Sequence, residues 1–219
     1  RVVGASVLEL GAGMGLCGLL ASQLGARRVT ITDCSYVGLK VLRSNVLAHM
    51  ATTAEMYSWG ENEKDVNTIR RHLWESDLPQ SSGPRQGEPR HWSNEPTCTV
   101  GAEGLPPLLE TGEQYELVVA ADALYFHEQV APLLHTFAAR LSPHGLALMT
   151  VTLRHKSVYK AFVDGLSEVG LEMIDDPELT VDPRDAHHLQ DGGNVFQTRN
   201  ELGPVHLMYL QHRRHRQLP

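Results

Sequence analysis

The sequence predicts an α/β fold: a Rossmann-like, mainly parallel seven-stranded sheet with helices on both faces and an antiparallel C-terminal strand. Three observations predict it. Short apolar or β-branched runs alternate with longer amphipathic ones along the chain. The first of them, residues 7–10, passes into an apolar helical stretch through a turn with glycine at every second position. Several apolar runs end on an acid or an aromatic residue, which gathers those residues along one edge of a parallel sheet, where such folds bind ligands.

The elements follow in order. Residues 7–10 read as a buried strand and 16–24 as a helix stopped by Gly25. Residues 29–33 are β-branched and end in Asp33, a second strand. The span 37–49 has apolar residues at 37, 39, 41, 42, 46 and 47, a helical pattern. Residues 51–65 show no clear period, and 68–74 read as a third strand followed by polar 75–77. Proline, glycine, serine and charge dominate 79–96, which marks an exposed insertion over about 77–104. The fourth strand, 117–121, ends in Asp122-Ala123-Leu124-Tyr125. A helix over 128–141 is closed by Ser142-Pro143-His144-Gly145, and strand five follows at 146–153. A helix at 158–169 stops at Gly170. Strands at 171–174 and 205–210 flank a long polar excursion.

At 219 residues the chain reads as one domain, 1–219, long enough for a sizeable core. No apolar run approaches the eighteen or so residues that span a bilayer, and no secretory leader precedes the first strand. Cys17, Cys34 and Cys98 lack metal-like spacing and cannot all pair, which favours a reducing interior, cytoplasm or nucleus. The histidines, His187-His188 included, have no metal-ligand spacing either. A net charge of −7 opposes wrapping a nucleic-acid backbone, and the basic cluster at 212–216 reads as a solvated tail.

The glycine turn narrows the ligand. A strand entering a helix directly leaves backbone N–H groups facing outward, and glycine lets a ligand approach them. The dinucleotide fingerprint is G-x-G-x-x-G. Here the run is Glu9-x-Gly11-x-Gly13-x-Gly15. A carboxylate two residues before the first glycine opposes a pyrophosphate and suits an ammonium group. S-adenosyl-L-methionine carries an ammonium and a sulfonium and no phosphate. Asp33, about twenty residues on at the end of strand two, stands where a ribose diol is read; an ordinary helix N-cap is the alternative.

The segments 7–18, 29–33, 42–46 and 115–125 together resemble methyltransferase family 16, the protein-lysine methyltransferase branch of the class I S-adenosylmethionine-dependent enzymes. Asp-x-x-Tyr at 122–125 is that family's mark, and Thr152-Leu153-Arg154 also resembles it. The resemblance implies that the backbones of Gly11, Ala12 and Gly13 line the methionine moiety, within the Glu9–Gly15 turn. It implies that Asp33 holds the ribose and that a tryptophan after strand three stacks on adenine. Trp74 and Trp59 compete for that place, and Trp74 has the better strand before it. Ala121 completes the cofactor floor. The family also has a segment before strand one, with a tryptophan covering the site; the resemblance implies that the sequence from Arg1 is either a fragment lacking that segment or a minimal member.

Asp122 and Tyr125, one step past that floor, are the candidate catalytic pair: Asp122 to orient an acceptor amine, Tyr125 to wall its channel. Asp122 as a helix cap and Tyr125 as a packing residue are the plainer readings. The expected activity is protein-lysine N-methylation, with a protein as substrate and neither a membrane nor a metal involved. Alternatives are an RNA or small-molecule acceptor, a dinucleotide reductase, and a silent binding module that keeps the fold.

Overall fold

A computed structural model describes residues 1–53, 67–79, 108–174, 195–196 and 205–213. The element order is β1 (Ser6–Leu10), α1 (Leu16–Gln23), β2 (Arg28–Asp33), α2 (Tyr36–Thr53), β3 (Asn67–Arg71), β4 (Tyr115–Ala121), α3 (Val130–Arg140), β5 (Leu141–Thr152), α4 (Lys156–Gly165), β6 (Leu171–Ile174), β7 (Val195–Phe196) and β8 (Val205–His212). The main sheet runs β3-β2-β1-β4-β5-β8-β6, with the short β7 also paired to β8. β3 through β5 pair in parallel, and β8 is antiparallel to β5, β6 and β7. The predicted fold class is what the chain adopts.

Strand alternation divides the core between two faces. Leu8, Leu10, Val118, Ala120, Ala147 and Met149 point to the face covered by α3 and α4, where Leu133, Phe137 and Phe162 are fully buried. Val7, Val29, Ile31, Leu117 and Val119 point to the other face, against Ala21 of α1 and Leu39, Leu42 and Val46 of α2. Parallel strands covered on both sides need apolar residues at nearly every position, and all five residues of β1 are buried.

Element boundaries differ from the sequence reading in two places that matter. β3 stops at Arg71, three residues short of the predicted end, because His72 turns into the core and Trp74–Asp77 coils into a 3-10 turn. α3 ends at Arg140, as the sequence predicts to within a residue, but β5 starts at once at Leu141, so Ser142-Pro143-His144-Gly145 is an irregular first stretch of strand. The register against β4 shifts between Tyr115 and Leu117 to take up the extra residues. The expected insertion at 77–104 lies outside the described residues except for 77–79, and there the Asp77 side chain is only 6% exposed. Trp59 and most of the 175–203 excursion are also outside them. No helix among the described residues is long and apolar enough to cross a membrane.

Candidate functional site

The alternating glycines sit at the C-terminal end of β1, in the middle of the sheet. Gly11, Gly13 and Gly15 have φ of +60°, +53° and +79°, where a side chain is strained. Two of them also answer to the protein's own packing. A Cβ on Gly11 would lie 3.1 Å from Ala123 Cβ and 3.3 Å from Trp74 Cζ2, and one on Gly15 would collide with Leu42 Cδ1. Gly13 is different: among the described residues nothing stands within 4 Å of where its Cβ would be. The turn is open at that point.

The amides that start α1 are not left outward, as the sequence alone predicts. The Cys17 and Gly18 amides donate to Glu9 Oε1 and Oε2 at 3.2 and 2.8 Å, and the Leu19 amide donates to the Gly15 carbonyl. The Gly13 amide donates to Asp33 Oδ2 at 2.9 Å. A helix start is an anion site, and here the chain's own Glu9 carboxylate fills it. A pyrophosphate has no place there. Glu9 is 2% exposed, so it lies beneath the turn and braces it.

Burial pushes the Glu9 carboxyl up to about 7, although the two amides pull it back and the Asp33 charge adds to the rise. The folded chain therefore holds a proton between pH 4.5 and about 7 that the unfolded chain has released. This contribution to stability is fully present below pH 4.5 and is lost as pH rises through 7, by about 3 kcal/mol in all. Glu9→Gln is uncharged at every pH and should lose that slope. Urea midpoints of the two proteins compared across pH 5 to 8 read it.

Asp33 ends β2. Its Oδ1 accepts the Ser35 amide at 2.9 Å while Oδ2 holds Gly13, so one carboxylate ties the glycine turn to the entry of α2. Thr32 Oγ1 donates to the Glu9 carbonyl and the His72 amide to the Asp33 carbonyl, which locks the ends of β1, β2 and β3 side by side. Trp74, half-buried, opens the 3-10 turn after β3 and brings its ring edge to Gly11. Ala121, exposed, is the last residue of β4. Glu9, Gly11, Ala12, Gly13, Gly15, Asp33, Trp74 and Ala121 thus lie around one stretch of strand C-termini.

Beyond β4 the chain bends sharply. Asp122 has φ +50°, the only positive φ of a non-glycine residue among those described. Its carboxylate is held by Arg154, Nη1 to Oδ1 at 2.8 Å and Nη2 to Oδ2 at 2.7 Å, and Oδ1 also accepts the Thr152 amide. Burial raises the Asp122 carboxyl, but Arg154 and Thr152 outweigh it and hold it below the ordinary range. The Arg154 guanidinium also lies 4.9 Å from the centre of the Tyr125 ring. Burial and the Asp122 charge push the Tyr125 phenol above its ordinary value. The Tyr125 and Phe126 amides both donate to Gln129 Oε1. Sequence reasoning singled out Asp122 and Tyr125 but gave Arg154 no part. Its signal was position: a cation two residues past strand five, beside the end of strand four.

The sheet order and the glycine turn at the end of β1 make a Rossmann-like fold, and the proteins it is similar to are methyltransferases. Residues 1–77, which contain the glycine turn, Asp33 and Trp74, match the family described as lysine methyltransferase. The histidine protein methyltransferase 1 homolog of Bos taurus is 28% identical over 159 residues, covering 72% of this chain and 39% of that protein. Protein N-lysine methyltransferase METTL21A of Mus musculus is 29% identical over 153 residues, covering 70% of this chain and 52% of that protein. The chain therefore spans about half the length, or less, of these relatives. The solved structure of magnesium protoporphyrin IX methyltransferase from Synechocystis PCC 6803 with bound SAH aligns over 97% of this chain and 76% of that one. Its TM-score is 0.54 at 12% identity, a likeness of fold.

Proposed function

We propose that this chain transfers a methyl group from S-adenosylmethionine to a lysine side chain of a protein. The observation that carries the cofactor reading is the Glu9 carboxylate seated on the first amides of α1. It occupies the place a phosphate would need and leaves Gly13 open to a phosphate-free ligand. S-adenosylmethionine supplies a methyl group on a sulfonium. In this reading Gly11, Ala12, Gly13 and Gly15 shape the backbone wall for its methionine part, with Glu9 bracing them from below. Asp33 faces the ribose, Trp74 stacks on adenine, and Ala121 forms the floor.

A lysine acceptor must be neutral to attack. From a reference value near 10.4, losing the proton at pH 7 costs roughly 4.6 kcal/mol. Desolvation in a channel and a neighbouring cation both lower that cost. Asp122, ionised and fixed by Arg154, is placed to orient the amine; Tyr125, protonated and half-exposed, walls its approach. Protein as acceptor is supported by the names of both relatives, which differ in the side chain named. Incubation with tritiated S-adenosylmethionine and cell extract, followed by hydrolysis and amino-acid analysis, should place label on methyl-lysine. Label on histidine alone, or in RNA, would overturn the acceptor; no label and no cofactor binding would leave a silent module.

A further inference from the structure

The 3-10 turn Trp74–Asp77 is gripped at both ends by one face of α3. Thr136 Oγ1 donates to the Trp74 carbonyl at 3.4 Å. One helical turn later, Arg140 donates through Nε to Asp77 Oδ2 at 3.0 Å and through Nη2 to Asp77 Oδ1 at 2.7 Å. Arg140 Nη1 also reaches the Glu110 carbonyl. His72, just before the turn, places Nε2 2.9 Å from Asp77 Oδ2. All three charged or titratable side chains are at least nine-tenths buried, at 2% for His72, 3% for Arg140 and 6% for Asp77. His72 Nδ1 has no partner among the described residues. The ring is therefore committed on one side only, donating from Nε2–H to the carboxylate.

A buried, charged network is a weak source of net stability compared with apolar packing of the same volume. What it supplies is direction: a forked, two-point contact fixes a backbone better than packing does. Here the fixed backbone carries Trp74, whose ring edge lies 3.3 Å from where a Cβ on Gly11 would stand. We propose that His72, Asp77 and Arg140 are positioning residues for the adenine platform, setting the plane of Trp74 against the glycine turn and thereby the affinity for the cofactor. This rests on the reading that Trp74 stacks on adenine.

A double-mutant cycle tests it on the whole chain, with S-adenosylhomocysteine binding measured by calorimetry. Trp74→Ala should weaken binding roughly tenfold, the loss of one base–aromatic stack. Asp77→Asn should weaken it to a similar extent in the wild-type background, yet by less than about twofold once Trp74 is already alanine. Arg140→Lys, which keeps the charge and loses the fork, should behave alike. Thr136→Val gives a milder variant outside the ion pair, with a smaller loss that also vanishes beside Trp74→Ala. Each protein is checked for an intact melting transition first. Wild-type affinity in folded Asp77→Asn and Thr136→Val would overturn the proposal, as would losses that persist in full without Trp74. If Trp74→Ala itself binds normally, the adenine reading fails. A wild-type chain that binds no S-adenosylhomocysteine removes the cofactor reading and this proposal with it.

Discussion

Arg140→Met is expected to destabilise the folded chain by about 3–5 kcal/mol at pH 7, read as a lower urea midpoint with the slope unchanged. That is a large share of the stability of a domain this size. Methionine fills most of the arginine's volume, so the loss is electrostatic and not a cavity. The change strips Asp77 of its forked partner and leaves a carboxylate, 6% exposed, facing His72 alone. It also leaves the Glu110 carbonyl without the guanidinium. Burial pushes the Asp77 carboxyl up, but His72 and Arg140 together hold it below its ordinary value of 3.8. Its contribution is therefore present above that value and is lost as pH falls through the depressed one. The wild type should lose stability on acidification below about pH 4 more steeply than Arg140→Met. Adding Asp77→Asn to Arg140→Met should recover part of the loss, because the stranded charge is gone.

This network marks the limit of what the sequence could tell. The fold was legible because three central strands of the parallel sheet, at 7–10, 29–33 and 117–121, are short apolar or β-branched runs that end at a glycine or an acid. The glycine turn was legible for the same local reason: positive φ together with close packing at Gly11 and Gly15 favours glycine over any residue with a Cβ. Asp77 was not. In a polar tripeptide before a Pro- and Gly-rich stretch it reads as surface, and only a partner 63 residues away buries it. Arg140, at the end of an amphipathic helix, reads as a solvated C-terminal cation. Glu9 shows a second limit: a carboxylate two residues before the first glycine can turn outward to a ligand or inward to a helix start, and spacing does not distinguish them. The structure turns it inward. The helix ends at Arg140, where the sequence predicts its close, but the start of strand five was placed too late because proline and glycine mark an irregular strand entry as readily as a turn.

Asp122→Asn should lower kcat about a hundredfold while S-adenosylhomocysteine binding stays at the wild-type level, the size of effect that follows when a reacting group is misplaced by about an ångström. Asparagine is the informative replacement. Asp122 sits at φ +50°, a region that asparagine and aspartate enter several-fold more readily than other residues. Alanine there would strain the backbone as well as remove the charge. With asparagine the bend persists, and what changes is the bidentate grip on Arg154: one oxygen can still accept, while the amide nitrogen faces a guanidinium that only donates. Arg154 is then free to leave the Tyr125 ring, so that both residues of the proposed acceptor site loosen together. Tyr125→Phe keeps the ring under the guanidinium and should cost less, about tenfold in kcat, if its hydroxyl contacts the amine. The pH dependence separates these groups. Asp122 is ionised throughout the neutral range and the Tyr125 phenol is protonated, so neither titrates between pH 6 and 9. A rise of kcat/KM with pH in that window belongs to the acceptor amine, and it should survive in both variants with only its height reduced. Asp122→Asn and Tyr125→Phe proteins that bind cofactor and turn over at the wild-type rate would remove both residues from the chemistry and return Asp122 to a structural part in the bend after β4.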